Sequence, residues 1–196
     1  MSNLSLEDRA EAYNKSFPSY PKLFTSNGWI IGMWVIGNYY RNQNEYYGCY
    51  PHSYLKRIKS MFPDCEKILH LFSGSVQQDD TFDINPKYNP TYVGDAHRLS
   101  EFVKQKYNLI FADPPYSEED ARHYGTPMVK RNVVVRECVK VLDTGGFLIW
   151  LDQVFPMYRK KELEIVGVIG VIRSTNHRVR TAFIFRKKIK PISKIC

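Results

Sequence analysis

The chain has 196 residues, 43% of them hydrophobic and 24% charged, and carries a formal net charge of +8. These proportions fit one soluble globular domain, and no apolar run reaches the roughly 18 residues that a membrane span needs. Cys49, Cys65, Cys138 and Cys196 form no C-x-x-C pair, which argues against a zinc knuckle or a disulfide framework and fits a reducing, cytoplasmic setting.

The first residues, MSNLSLEDRAEAYNKSF, are polar and unlike a signal peptide. Within them Ser5-Leu6-Glu7-Asp8 resembles a capping box and predicts a short helix. Pro18 and Pro21 mark a loop. Trp29 to Ile36 is apolar with β-branched residues, which predicts a buried strand or a packed turn. YYRNQNEYYGCYP, residues 39–51, is aromatic and polar and reads as a loop. A helix is predicted from His52 to Met61, ending before Pro63.

A regular rhythm follows. Strands are predicted at Lys67 to Phe72, Thr81 to Ile84, Thr91 to Gly94 and Asn108 to Ala112. Met128 to Leu142 has helical spacing, with Val133, Val134, Cys138, Val141 and Leu142 on one side and Gly145-Gly146 as its stop. Phe147 to Leu151 is a fifth strand. Ile165 to Arg173 and Val179 to Phe185 read as a closing hairpin. This order predicts an open α/β sheet, mostly parallel, with a C-terminal antiparallel hairpin. The chain reads as one domain: an N-terminal extension over residues 1–45, a core over 46–186 and a basic tail over 187–196.

In open α/β sheets ligands bind beyond the carboxyl ends of the strands, and four predicted strands end in chemically loaded residues. Phe72-Ser73-Gly74 follows the first, where Gly74 lets backbone approach a ligand closely. Asp83, at the second, is placed to accept hydrogen bonds from ribose hydroxyls. Asp95-Ala96-His97 follows the third. Asp113-Pro114-Pro115-Tyr116 follows the fourth, where the two prolines stop the strand because each lacks a donor and fixes φ. Together the exits point to a nucleoside-type ligand beside a reaction centre.

The series resembles the S-adenosylmethionine-dependent amino-methyltransferases, which carry D/N-P-P-Y/F/W after the fourth strand. The resemblance covers roughly Tyr46 to Arg186 and implies a class I methyltransferase-like, Rossmann-like fold. It implies that Phe72, Ser73, Gly74, Asp83, Asp95, Ala96 and Asp113 bind S-adenosyl-L-methionine, with Tyr50-Pro51 in the place of a pre-strand cofactor motif. It also implies catalysis by Asp113, Pro114, Pro115 and Tyr116, without a metal. The chemistry suits those residues. The exocyclic amine of adenine is a poor nucleophile, because its lone pair is delocalised into the ring. Asp113 and the Pro114 carbonyl can accept its N–H groups, and Tyr116 offers a ring on which a flipped base stacks.

The expected reaction is methylation of adenine N6 in DNA, an adenine-methylating, DNA-binding enzyme. RNA methylation at adenine N6 or guanine N2 is the close alternative, cytosine N4 a third amine, and a non-catalytic relative the reading from another class. Two features depart from the family pattern. The segment Ser75-Val76-Gln77-Gln78-Asp79-Asp80 leaves no room for a crossover helix after Gly74. No insert is large enough for a target-recognition domain, which implies weak sequence specificity or a second subunit.

From Pro156 onward the chain holds 11 Lys+Arg against 2 Asp+Glu, so its last fifth carries the whole positive excess. A basic region suggests a nucleic-acid partner, with a solvated surface as the plain alternative. Arg173, Asn176, His177, Arg178 and Arg180 are the candidate nucleic-acid-binding residues, against edge-strand arginines that only aid solubility. Tyr39, Tyr40, Tyr46 and Tyr47, with Arg41, serve base stacking or local packing equally well. His97 reads as a loop histidine, Asp152 as a structural polar residue, and Trp29 and Trp34 as core.

Overall fold

The computed structural model describes residues 4–37, 50–51, 53–173 and 179–189, with the backbone alone of Arg173. The tyrosine-rich segment from Tyr39 to Tyr47 and the hairpin-turn residues Asn176, His177 and Arg178 lie outside them.

Helix α1 (Leu6–Ser16) starts at the expected capping box. The Asp8 N–H donates to Ser5 Oγ and the Ser5 N–H to the Asp8 carboxylate, both at 3.0 Å. One face of α1 buries Arg9, Ala10 and Tyr13. The Arg9 guanidinium forks onto Asp64 at 2.8 and 2.9 Å, donates to the Met61 carbonyl, and lies over the Phe62 and Phe147 rings. A buried cation needs charged and carbonyl partners of this kind, and they tie α1 to the segment after helix α2 (Tyr54–Ser60).

The strands are β1 (Phe24–Ser26), β2 (Trp29–Ile36), β3 (Ile68–Leu71), β4 (Asp80–Asp83), β5 (Tyr92–Val93), β6 (Tyr107–Ala112), β7 (Leu142–Asp152), β8 (Leu163–Arg173) and β9 (Val179–Lys187). They join in one sheet in the order β1-β2-β8-β9-β7-β6-β3-β4-β5. β3, β4, β5, β6 and β7 run parallel. β9 runs antiparallel between β7 and β8, closing the expected hairpin. Helices α3 (Leu99–Phe102), α4 (Glu118–His123) and α5 (Arg131–Val141), with short 3₁₀ turns at Pro86–Tyr88 and Ala96–Arg98, complete the described elements.

Alternate residues of β6 and β7 serve two separate cores. Leu109, Phe111, Phe147 and Ile149 pack with α1 and α2, while Ile110, Ala112, Leu148 and Trp150 pack with α3 and α5. Burying a large side chain on either face contributes about 1.5–3 kcal/mol, so both helix layers hold the sheet. Among the described residues, no helix is long and apolar enough to cross a membrane.

Three expectations are corrected. Gly145-Gly146 does not stop the helix: α5 ends at Val141 and the chain passes directly into β7 at Leu142. The glycines make a bulge inside the strand. Gly145 has φ +78°, and a Cβ on Gly146 would lie 3.0 Å from the Asp143 carbonyl oxygen and 3.1 Å from that of Asn108. On α5 itself Val133 is only partly buried, while Val135 and Glu137 join Val134, Cys138 and Val141 on the buried face. β2 is a strand, but Trp29 is not core. Trp34 is fully buried, whereas Trp29, Ile31, Met33 and Val35 point to the opposite, exposed face. The N-terminal β1 and β2 also extend the sheet, with β2 parallel to β8, a pairing across more than 130 positions that local patterning does not reveal.

Candidate active site

The parallel strands place their carboxyl ends on one edge of the sheet. β3 ends in a tight turn with Phe72 at φ +56° and Gly74 at φ +50°. That turn brings the Gly74 N–H onto Asp83 Oδ2 at 2.9 Å, while the Asn85 N–H reaches Oδ1 at 2.8 Å. Asp83, the last residue of β4, is thereby held by two backbone donors. As expected, no helix separates β3 from β4. The turn alone shapes this side of the site.

Asp95 follows β5. Its Oδ1 accepts from the His97 N–H at 2.9 Å and from His97 Nδ1 at 2.7 Å, and His97 Nε2 accepts from the Lys130 N–H at 2.9 Å. These partners set the ring's tautomer, with the proton on Nδ1. Partial burial pushes the Asp95 carboxyl up, but the His97 bonds and nearby positive charge outweigh it and hold the group below its usual range. In sequence His97 reads as a loop residue. The structure makes it the link between the β5 exit and the start of α5, and its place two residues after Asp95 was the available signal.

An open cleft runs along these exits. Phe72, Gly74, Asp83, Asp95, Ala96 and Asp113 of the expected cofactor set line it. Pro115 also faces it. Tyr124, Thr126, Pro127 and Val129 form a wall that the sequence did not disclose, because it comes from the irregular segment between α4 and α5. Ser73, Tyr50 and Pro51 are not part of the lining. Tyr50 instead stacks on Tyr54 with ring centroids 5.6 Å apart.

Asp113 stands at the end of the cleft, where β6 gives way to the proline pair. The Tyr116 hydroxyl donates to its carboxylate. Burial, then the Asp113 charge, pushes the Tyr116 phenol well above its usual pKa, so it remains a neutral donor. Arg131 holds this loop from behind. Its guanidinium donates to the Tyr116 carbonyl at 3.2 Å and pairs with Asp152, Nε to Oδ2, at 2.7 Å. Asp152 is fully buried and also accepts from Trp150 Nε1 and from the N–H groups of Gln153 and Val154. It therefore fixes the loop through Arg131.

Arg180, expected on a phosphate-facing surface, is only 8% exposed, and its guanidinium lies 4.4 Å from the Tyr116 ring centroid. β9 begins on the same sheet edge and delivers it there. The backbone of Arg173 ends β8 on that edge too.

The acceptors that line the cleft fit S-adenosyl-L-methionine. Asp83 has its inner lone pairs engaged by backbone and can offer others to the two ribose hydroxyls. Asp95 offers an acceptor for an adenine amine beside the apolar Ile84 and Ala96. No atom stands within 4 Å of a would-be Cβ on Gly74, so a ligand can approach the backbone there.

The strand set from β3 to β9 runs β5-β4-β3-β6-β7-β9-β8, parallel except for β9, and its ligand cleft lies across the carboxyl ends. That arrangement is the class I methyltransferase fold. Solved structures include similar ones. TrmN from Thermus thermophilus is 14% identical, with a TM-score of 0.44 over 61% of this chain and 43% of that one, so the chain spans less than half its length. The N-methyltransferase NodS from Bradyrhizobium japonicum, in complex with S-adenosyl-L-homocysteine, is 11% identical over 63% of this chain and 78% of its own, with a TM-score of 0.44. A putative S-adenosylmethionine-dependent methyltransferase from Streptococcus mutans is 12% identical over 85% of this chain and 55% of its own, with a TM-score of 0.49. No protein-family model and no curated protein matches the sequence.

Proposed function

We propose that this protein binds S-adenosyl-L-methionine and transfers its methyl group to the exocyclic amine of a nucleobase, with N6 of adenine in DNA the preferred target. RNA methylated at adenine N6 or guanine N2 is the second reading. The observation that carries the proposal is the position of Asp113. It lines the cofactor cleft and also meets Tyr116, so one carboxylate faces both the cofactor and the place where a target amine would lie.

The cofactor supplies a methyl already activated as a sulfonium, so no metal is needed. Asp113 and the Pro114 carbonyl accept the N–H bonds of the amine and orient its lone pair. With the cofactor bound, the Asp113 carboxylate would lie close to the amine nitrogen and would stabilise the positive charge that develops there as the nitrogen takes the methyl. The surplus amine proton then leaves to solvent. Tyr116 presents a ring on which the base stacks. The basic C-terminal fifth, with Arg173 and Arg178, is assigned to the phosphate backbone. A second subunit supplies sequence recognition if the reaction is sequence-specific.

The test is transfer of labelled methyl from S-adenosyl-L-methionine to DNA, RNA and protein, followed by nucleoside analysis. Label in N6-methyladenine supports the proposal. Label confined to protein, or no transfer at all, refutes it.

A further inference from the structure

Three buried polar atoms near Asp113 make no hydrogen bond among the described residues: the hydroxyls of Tyr50 and Tyr54, and Nε of Arg180. They belong to one neighbourhood. The Tyr50 and Tyr54 rings stack nearly parallel, with an interplanar angle of 11°. Arg180 lies over Tyr116, which itself holds Asp113. Burial, then the Asp113 charge, pushes both the Tyr50 and Tyr54 phenols well above their usual pKa, so each keeps its proton. A buried polar atom without a partner is costly, and a folded chain seldom keeps three around one carboxylate unless a ligand completes them.

We propose that Tyr50, Tyr54 and Arg180 form the recognition edge of the target pocket, and that they select adenine by donating to the ring nitrogens beside its amine. This rests on the reading of Asp113 as the acceptor for that amine. Adenine N6 is flanked by N1 and N7, both acceptors. Arginine has donors only, and a protonated phenol has one to give. Guanine N2 is flanked on one side by N1–H, a donor that arginine cannot satisfy. Cytosine N4 is flanked by one ring acceptor and a C–H. A pocket of donors around a single carboxylate therefore matches adenine on both sides of its amine.

The experiment compares duplex substrates carrying adenine, 1-deazaadenine or 7-deazaadenine at the target position, for the wild type, Tyr54→Phe and Arg180→Lys. Lysine keeps the charge at 180 but lacks the planar Nε–H. The wild type is expected to lose about tenfold in kcat/KM with at least one deaza base. In the variant that lacks the matching donor, that penalty should shrink to within about twofold, while the adenine substrate itself loses about tenfold. Affinity for S-adenosyl-L-methionine, measured by calorimetry, should stay within about twofold, which shows that the variants are folded. Equal turnover of all three bases by the wild type, or the same deaza penalty in wild type and both variants, overturns the recognition role while methyl transfer stands. A wild type that binds cofactor and methylates no base overturns the reading of Asp113 and this inference with it.

Discussion

The hydroxyl of Tyr116 donates to the carboxylate of Asp113, three residues earlier and across a proline pair that fixes the direction of the chain. On the proposed reading, this neutral donor occupies an acceptor that the target amine would use. Asp113→Ala should reduce methyl transfer at least a hundredfold. Tyr116→Phe removes the competing donor and keeps the ring, so its kcat should stay within about threefold of wild type. Tyr116→Ala should raise KM for the nucleic acid about tenfold, because base stacking is lost. Steady-state kinetics with separate variation of each substrate checks all three, and unchanged KM in Tyr116→Ala would remove the stacking role.

The second prediction concerns Asp83, held by the N–H groups of Gly74 and Asn85. Asp83→Ala should weaken cofactor binding by about 1–3 kcal/mol, since ribose hydroxyls and two backbone donors lose their acceptor. Gly74→Ala, at φ +50°, should cost about 1 kcal/mol of stability through strain, although space for the methyl exists. Calorimetry and urea denaturation measure the two effects independently.

Asp152 is buried and accepts from Arg131, Trp150, Gln153 and Val154. Asp152→Ala should destabilise the fold by about 3 kcal/mol or more, because it strands a largely buried guanidinium and three further donors. Arg131→Ala should also lower kcat, as the Tyr116 carbonyl loses its anchor. A stable, fully active Asp152→Ala protein would show that the loop is held by other means.

A pH effect follows from His70. It is fully buried, stacks on Phe111 at 4.8 Å, and its Nε2 lies 3.1 Å from Asp79, which also pairs with Lys59. Burial lowers its pKa from 6.5 to about 4, outweighing the Asp79 hydrogen bond. Between those values the unfolded chain binds a proton that the folded chain does not. Stability from this residue is therefore complete above about pH 6.5 and falls with acidification, by about 3 kcal/mol at pH 4. Denaturant titrations at pH 7, 5.5 and 4 should show the loss, and His70→Phe should flatten it. An equal slope in the variant would assign the acid sensitivity elsewhere.

The basic last fifth should make nucleic-acid binding fall steeply with salt, because each neutralised phosphate releases counterions. Removing Arg173 or Arg178 should weaken unrelated sequences alike and flatten the salt slope by about one unit for each phosphate left without its arginine. Arg180→Lys, from a buried position, should leave that slope unchanged. Binding isotherms at two salt concentrations separate the two kinds of arginine.

The residue order alone disclosed the parallel sheet, the closing hairpin, the capping box at Ser5 and the acidic exits at Asp83, Asp95 and Asp113, because strand periodicity, caps and proline stops are local signals. It also disclosed the missing crossover helix after Gly74, since the short span between the strands leaves no room for one. Tertiary structure decided what depends on distant pairing. It joined β2 to β8, exposed Trp29, and turned Gly145-Gly146 from a helix stop into a bulge against Asn108. It linked His97 to Lys130, and it sank Arg180 onto Tyr116 instead of leaving it on the surface. A basic residue near a strand end reads the same in sequence whether it meets solvent or an aromatic ring. Only the antiparallel placement of β9 between β7 and β8, which starts that strand at the ligand edge, determines which of the two it meets.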